Sequence, residues 1–308
     1  MRRLPALTAA AALTAAALVL TACTNASQQP TGGGASDGAS AAASFDPTSV
    51  SVDEDIAAML PDDVAESGTL TVGSDTTYAP NEFIGTDGQT PIGFDVDMAK
   101  AIGAVLGLET KVESAAFDGI IPAVGSKYDV GISSFTINPE RLAEVNMISY
   151  FTAGSQYAVA AGNPDGFDSE SLCGVSVAVQ TSTIQDEELT ALSKDCEKDG
   201  DEPIDVLRYE SQADATTNLV GGKAQAMYAD SPVIGYAVTQ TDGQIEPFGD
   251  IRDAAPYGIV VAKDDKELTE AVQAAVQKLM DDGTLKEAFA VWGSEDGLLD
   301  KAELNPAG

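Results

Sequence analysis

From Gly68 onward, apolar and polar positions switch repeatedly between two periods. Thr69-Leu-Thr-Val-Gly73 alternates and predicts a strand. Tyr78 to Phe83 reads as a polar loop, and Ile92-Gly-Phe94 as a short extended piece. Asp95 to Leu106 carries apolar residues at helical spacing and stops at Gly107, a residue suited to a helix C-terminus. Thr110 to Glu113 predicts a strand, Ile120 to Ser126 a short helix, and Tyr128 to Ile132 a strand that runs into a turn at Ser133. Pro139 to Val145 then reads as a helix, with proline at its first position.

A second unit of the same kind begins near Tyr157. Val175 to Val179, Asp205 to Leu207 and Ala226 to Ala229 predict strands. The helices between and after them run over Thr183 to Lys194, Ser211 to Gly221 and Val233 to Thr239. Gly258 to Val261 is a further strand, followed by a strongly amphipathic helix from Leu268 to Asp281 and a last one from Leu285 to Trp292. Strands alternating with helices predict two α/β units with mainly parallel sheets. Ligands of such sheets bind at the carboxyl ends of strands. Ser133 and Asp230 each follow a strand directly.

The first 65 residues follow neither period. Arg2 and Arg3 precede an apolar, alanine-rich run from Leu4 to Leu20, and small residues then lead to Cys23. Residues 1–22 therefore read as an export signal, too short for a comfortable membrane span. Leu20-Thr-Ala-Cys23 resembles the lipobox of bacterial lipoproteins, which implies cleavage before Cys23 and lipid on its thiol. Residues 24 to about 50 are Gly, Ser, Ala, Gln and Pro, a flexible tether. Its reach is about 30 Å, from roughly 5–6 Å times the square root of residue number. Asp53 to Glu66 reads as a short lead-in helix.

Charge narrows the function. The 308 residues hold 49 acidic and 16 basic side chains, a net charge of -33, which repels phosphate backbones and argues against nucleic-acid binding. The chain has no histidine, which removes Ser-His-Asp and Cys-His catalysis and every His metal ligand. Neither a Gly-x-Gly-x-x-Gly fingerprint nor a Walker A motif is present. Besides Cys23, the cysteines are Cys173 and Cys196, and two in an exported chain favour one disulfide over two buried thiols.

One arginine stands out against this acidic background. Arg141 closes the run Gly131-Ile-Ser-Ser-Phe-Thr-Ile-Asn-Pro-Glu-Arg141, just past a hydroxyl cluster. A planar fork of donors beside free backbone N–H groups suits a carboxylate. The residues alone leave two readings open. Ser133, Ser134 and Thr136 either contact a ligand or cap the following helix, and Arg141 either grips a carboxylate or pairs with Glu140 or Glu144.

Several strings, in order, resemble the family 3 extracellular solute-binding proteins, the amino-acid receptors of ABC importers. They are Gly73-Ser-Asp-Thr-Thr-Tyr-Ala-Pro, Gly93-Phe-Asp-Val-Asp-Met-Ala-Lys-Ala-Ile, Phe117-Asp-Gly-Ile-Ile-Pro-Ala, Thr136-Ile-Asn-Pro-Glu-Arg, Ala229-Asp-Ser-Pro, Pro256-Tyr-Gly-Ile-Val-Val and Asp282-Gly-Thr-Leu. The resemblance implies a two-lobed periplasmic-binding-protein-like fold of type II, each lobe a mainly parallel sheet flanked by helices, with two crossover strands as hinge. Lobe 1 would be residues 66–155 and 252–308, and lobe 2 residues 156–251.

Carried over by position, the resemblance gives Arg141 the ligand α-carboxylate, with the backbone N–H groups of Thr136 and Thr183 beside it. Asp230 takes the α-ammonium, helped by the Ser134 hydroxyl and the Ser133 carbonyl. Tyr78 and Phe117 sandwich the ligand side chain, and Asp75 falls where an acid meets a distal cation. The sequence departs from the pattern at Asn81, at Gln180-Thr-Ser-Thr183 and at Ile184. The implied protein is a monomeric, extracytoplasmic receptor without cofactor or metal, lipid-anchored to the outer face of the membrane. It would pass a basic or polar amino acid to a permease. The alternatives are a sensory or envelope lipoprotein and a dehydratase-like enzyme on the same scaffold.

Overall fold

The computed structural model describes residues 45–307, so the export signal, Cys23 and most of the tether lie outside the described residues. In chain order the strands are β1 (Thr69–Ser74), β2 (Thr77–Tyr78), β3 (Glu82–Ile84), β4 (Pro91–Ile92), β5 (Glu109–Ser114) and β6 (Val130–Thr136). They continue as β7 (Val145–Ala160), β8 (Ser176–Gln180), β9 (Asp205–Tyr209), β10 (Ala226–Asp230) and β11 (Ile245–Ala262). Eight of them form one sheet in the order β5-β1-β6-β11-β7-β10-β8-β9, and β2, β3 and β4 form a small second sheet.

Two parallel groups flank a central antiparallel pair. β1 lies parallel to β5 and β6, and β8 lies parallel to β9 and β10. β7 and β11, 16 and 18 residues long, run antiparallel between the groups. At about 3.4 Å per residue each strand is long enough to serve both halves. The end of β11 pairs with β6, and the end of β7 pairs with β10. Each half is thus a parallel α/β sheet, and the two long strands join them.

Those long strands are where period reading falls short. β7 is buried along nearly its whole length, so it lacks the alternation that marks a half-exposed strand. β11 starts in an exposed stretch with Pro247, Gly249 and Pro256, which reads as loop; only its last residues look like strand. Other expectations shift locally. The lead-in helix is two, Glu54–Ala57 and Asp62–Ser67, split at Pro61. Tyr78 to Phe83 is not loop, because β2 and β3 pair across it. The short helix is Phe117–Ile120, continued by one tighter turn that holds Pro122. No turn occurs at Ser133. β6 runs on to Thr136, with Ser134 in the left-handed region at φ 52°.

Each half has its own apolar core. The helix Phe94–Leu106 is buried almost all round and packs with Lys266–Asp281 and Thr284–Ala290 around Leu70, Ile102, Val272 and Phe289. The other half centres on Val177, Leu189, Tyr228 and Ala215. Gly93 fixes how the small sheet meets the first of these helices. Its φ is +126°, and a Cβ there would stand 2.2 Å from the Asn81 carbonyl oxygen. That close approach lets Asp95 donate its N–H to the same carbonyl at 2.9 Å. Trp292 stays near this first core, where its Nε1 donates to Asp97 at 2.8 Å.

Cys173 and Cys196 form a disulfide with Cα atoms 5.7 Å apart and a sequence separation of 23. It ties the loop before β8 to the helix Ile184–Asp199. Closing a loop of that length stabilises the fold by about 3 kcal/mol. Replacing both cysteines by alanine is therefore expected to lower unfolding free energy by about that amount in urea titration. An unchanged midpoint would show that the crosslink adds nothing.

Candidate functional site

The carboxyl ends of the parallel strands of both halves converge. Asp75 follows β1, Ser133 to Thr136 end β6, Gln180 ends β8 and Asp230 ends β10. Parallel strands leave their carboxyl ends on one edge, so this convergence follows from the topology. Between them lies a small cavity of about 10 Å³. All nine residues expected at a ligand site line it: Asp75, Tyr78, Phe117, Ser133, Ser134, Thr136, Arg141, Thr183 and Asp230. Gln180, Ile184 and Gln185 complete the wall.

Arg141 is the third residue of the helix Pro139–Glu144, whose N-cap is Asn138 and not one of the serines. Arg141 as a whole is 8% exposed. Nη1 donates to the Thr136 carbonyl at 2.8 Å and Nη2 to the Ser182 carbonyl at 3.2 Å, the second bond reaching into the other half. The fork lies over Phe117, 5.4 Å from the ring centre, and Phe117 stacks on Phe135 at 4.8 Å. No carboxylate of the described residues is within ion-pair distance, Glu140 and Glu144 included. Burial draws the pKa of Arg141 down, against the pull of Glu187 and Asp230. Across the cavity Thr183 caps the helix Ile184–Asp199, whose first N–H groups lack intrahelical partners.

Two carboxyl groups face the same space. Asp230 accepts from the Tyr78 hydroxyl at 2.8 Å and from Gln185 Nε2 at 2.7 Å. Burial raises its pKa, and these hydrogen bonds work against the rise. Tyr78 is thus held by its hydroxyl from the opposite half, while it lines the cavity. Asp75 takes the Thr77 N–H and hydroxyl on Oδ1, at 3.1 and 2.8 Å, and Gln180 Nε2 on Oδ2. Burial raises its pKa too. Both carboxyls accept only from neutral groups.

Behind the serines sits a second acidic pair that the sequence reading did not single out. Ser133 donates to Glu82 Oε1 at 2.8 Å and accepts the Asp75 N–H at 2.9 Å. Ser134 turns its hydroxyl away from the cavity, between Glu82 and Asp95, and accepts from Asn81 Nδ2. The acids in Asn81-Glu-Phe83 and Gly93-Phe-Asp95 stand among apolar residues, and that was the available signal. Gln180 and Gln185 gave none, because a glutamine at a strand end or in the first turn of a helix is ordinary. Among the described residues no group of three or more His, Cys, Asp or Glu is placed to hold a metal. No helix among them is long and apolar enough to cross a membrane.

Two parallel α/β halves, linked by two long strands and meeting over one cavity, define a periplasmic-binding-protein-like fold. The chain belongs to the bacterial extracellular solute-binding proteins, family 3, whose profile it matches over residues 70–295. It is 40% identical over 253 residues to the arginine-binding protein ArgT of Corynebacterium glutamicum, covering 82% of this chain and 83% of the relative. It is 28% identical to the L-cystine-binding protein TcyJ of Escherichia coli, over 76% of this chain and 85% of that one. Among solved structures, an ancestral arginine-binding protein bound to arginine superposes with a TM-score of 0.67 at 32% identity, covering 73% of this chain and 98% of the other.

Proposed function

We propose that this protein captures a free basic amino acid, of the arginine class, between its halves and delivers it to the membrane permease of an ABC importer. Lipid on Cys23 would hold it as a monomer at the outer face of the membrane. Lobe 1 is then residues 66–155 and 252–308, and lobe 2 residues 156–251, a division that the two separate apolar cores support.

The observation that carries the reading is the charge left open in the cavity. Among the described residues, one buried guanidinium has no carboxylate partner, and two buried carboxyls have no cationic one. Burying an unpaired charge costs several kcal/mol, so a ligand that supplies the missing partners selects the closed form. An amino-acid zwitterion satisfies Arg141 with its carboxylate and Asp230 with its ammonium. Asp75 is then left over and takes a cation on the ligand side chain. Cystine fits less well, since its far end is itself a zwitterion and brings a carboxylate beside Asp75 along with the ammonium. The Phe117 ring covers the apolar stem. The arginine-binding relatives agree with this choice.

Titration calorimetry with the twenty amino acids is expected to show micromolar or tighter binding of arginine, with lysine and ornithine weaker and acidic amino acids silent. Mass spectrometry of ligand released from purified protein should return the same compound, unaltered. Binding of acidic amino acids in preference to arginine would overturn the assignment of Asp75.

A further inference from the structure

We propose that Glu82 and Asp95 share a single proton behind Ser133 and Ser134, and that capture of a cationic amino acid in front of those serines expels it. The inference rests on the reading of the cavity as a site for basic amino acids.

The geometry fixes the proton count. Glu82 is 0% and Asp95 1% exposed, and neither has a lysine or arginine within ion-pair distance among the described residues. Both reach one hydroxyl, Ser134 Oγ, at 3.3 Å from Glu82 Oε2 and 3.1 Å from Asp95 Oδ2. That hydroxyl has one hydrogen and accepts from Asn81 Nδ2 at 2.8 Å. Two ionised carboxylates so placed would repel each other with no cation between them, so one proton stays with the pair. Asp95 Oδ2 already receives the Ser134 N–H at 2.9 Å and the Tyr150 hydroxyl at 2.8 Å, which makes Asp95 the ionised member. Glu82 then carries the proton. Burial and the neighbouring Asp95 hold its pKa well above the usual range.

The other titratable groups around the pair do not substitute for it. Asp75 and Tyr78 face Glu82 from the cavity side and would add negative charge on ionising, not remove it. Tyr150 comes from β7 and is itself held neutral by burial and by Asp95. Tyr257 lies beside Tyr150 at 6.1 Å and is likewise neutral. Asp97 points away, to Trp292.

The Ser133 hydroxyl gives its hydrogen to Glu82 and one lone pair to the Asp75 N–H, so what remains towards the cavity is acceptor. An ammonium that docks there stands one hydroxyl away from Glu82. It favours the ionised form, and the proton leaves to solvent. Glu82 is therefore a positioning residue. Because binding releases a proton, affinity rises with pH, by up to about tenfold per pH unit where release is complete. Acid weakens the complex.

The test is calorimetry of the whole exported chain with arginine, at about pH 7, in buffers of different protonation enthalpy. The wild type is expected to release protons on binding, and E82Q to lose the buffer dependence. Binding without proton release in the wild type, or equal release in E82Q, overturns the proposal. A second readout needs no ligand. The infrared spectrum of the free protein should contain the C=O band of a buried neutral carboxylic acid that E82Q lacks, and that band weakens as arginine is added. Absence of that band in the wild type rejects the proposal even if arginine binds. Failure of arginine to bind, with the band present, counts against the ligand assignment and not against the shared proton.

Discussion

Arg141→Ala is expected to abolish measurable amino-acid binding while leaving the fold intact. The guanidinium is buried, faces the cavity and has no carboxylate partner among the described residues. Its removal leaves the ligand carboxylate buried without a partner. Truncating one member of such a pair costs about 2–5 kcal/mol, which weakens affinity by roughly 30-fold to several-thousandfold. Arg141→Lys should recover little. An ammonium keeps the charge but not the planar fork, and it cannot span Thr136 and Ser182 while lying over Phe117. Calorimetry or tryptophan fluorescence checks both variants, with thermal unfolding as control for the fold. Binding within fivefold of wild type in Arg141→Ala would remove Arg141 from carboxylate recognition.

The second large effect concerns selectivity. Asp75→Asn is expected to weaken arginine and lysine far more than glutamine, lowering the arginine-to-glutamine affinity ratio by roughly a hundredfold or more. Asp75 is the carboxyl left over once a zwitterion has used Arg141 and Asp230. An asparagine there keeps the Thr77 hydrogen bonds but turns an amide N–H₂ towards Gln180. Gln180 must flip to meet it, and then loses its 3.0 Å bond to the Glu210 carbonyl. Some loss for every ligand is therefore expected, and the ratio is the quantity to read. An unchanged ratio from competition binding would mean that Asp75 serves closure and not recognition.

Most of the individual helices and strands were legible from periodicity, because each half-buried element shows its own period. Gly107 and Pro139 also marked ends that the structure keeps. The two long strands were not. Residues 145–160 are buried on both faces and so lose the alternation by which strands are recognised, and Pro and Gly disguise the start of β11. Those are the strands that join the halves, so the two crossover strands were visible only through resemblance, and their joining of both halves into one eight-stranded sheet only in the structure.

The site divides in the same way. The sequence by itself determined the chemical inventory: one arginine beside hydroxyls, aspartates at strand ends, no histidine and an acidic surface. Strand–helix alternation also determined where ligands meet such folds. Tertiary structure alone decided which charges lack partners. Asp75 and Asp230 are 155 positions apart in sequence number, yet Tyr78 and Gln180 bind one to each other's half across the cavity. It alone turned Ser134 towards Glu82 and Asp95, through the backbone that Gly93 lets approach. The physical reason is desolvation. A carboxyl group has its ordinary chemistry in any sequence, and only burial beside a second carboxyl, as Glu82 lies beside Asp95, makes it hold a proton.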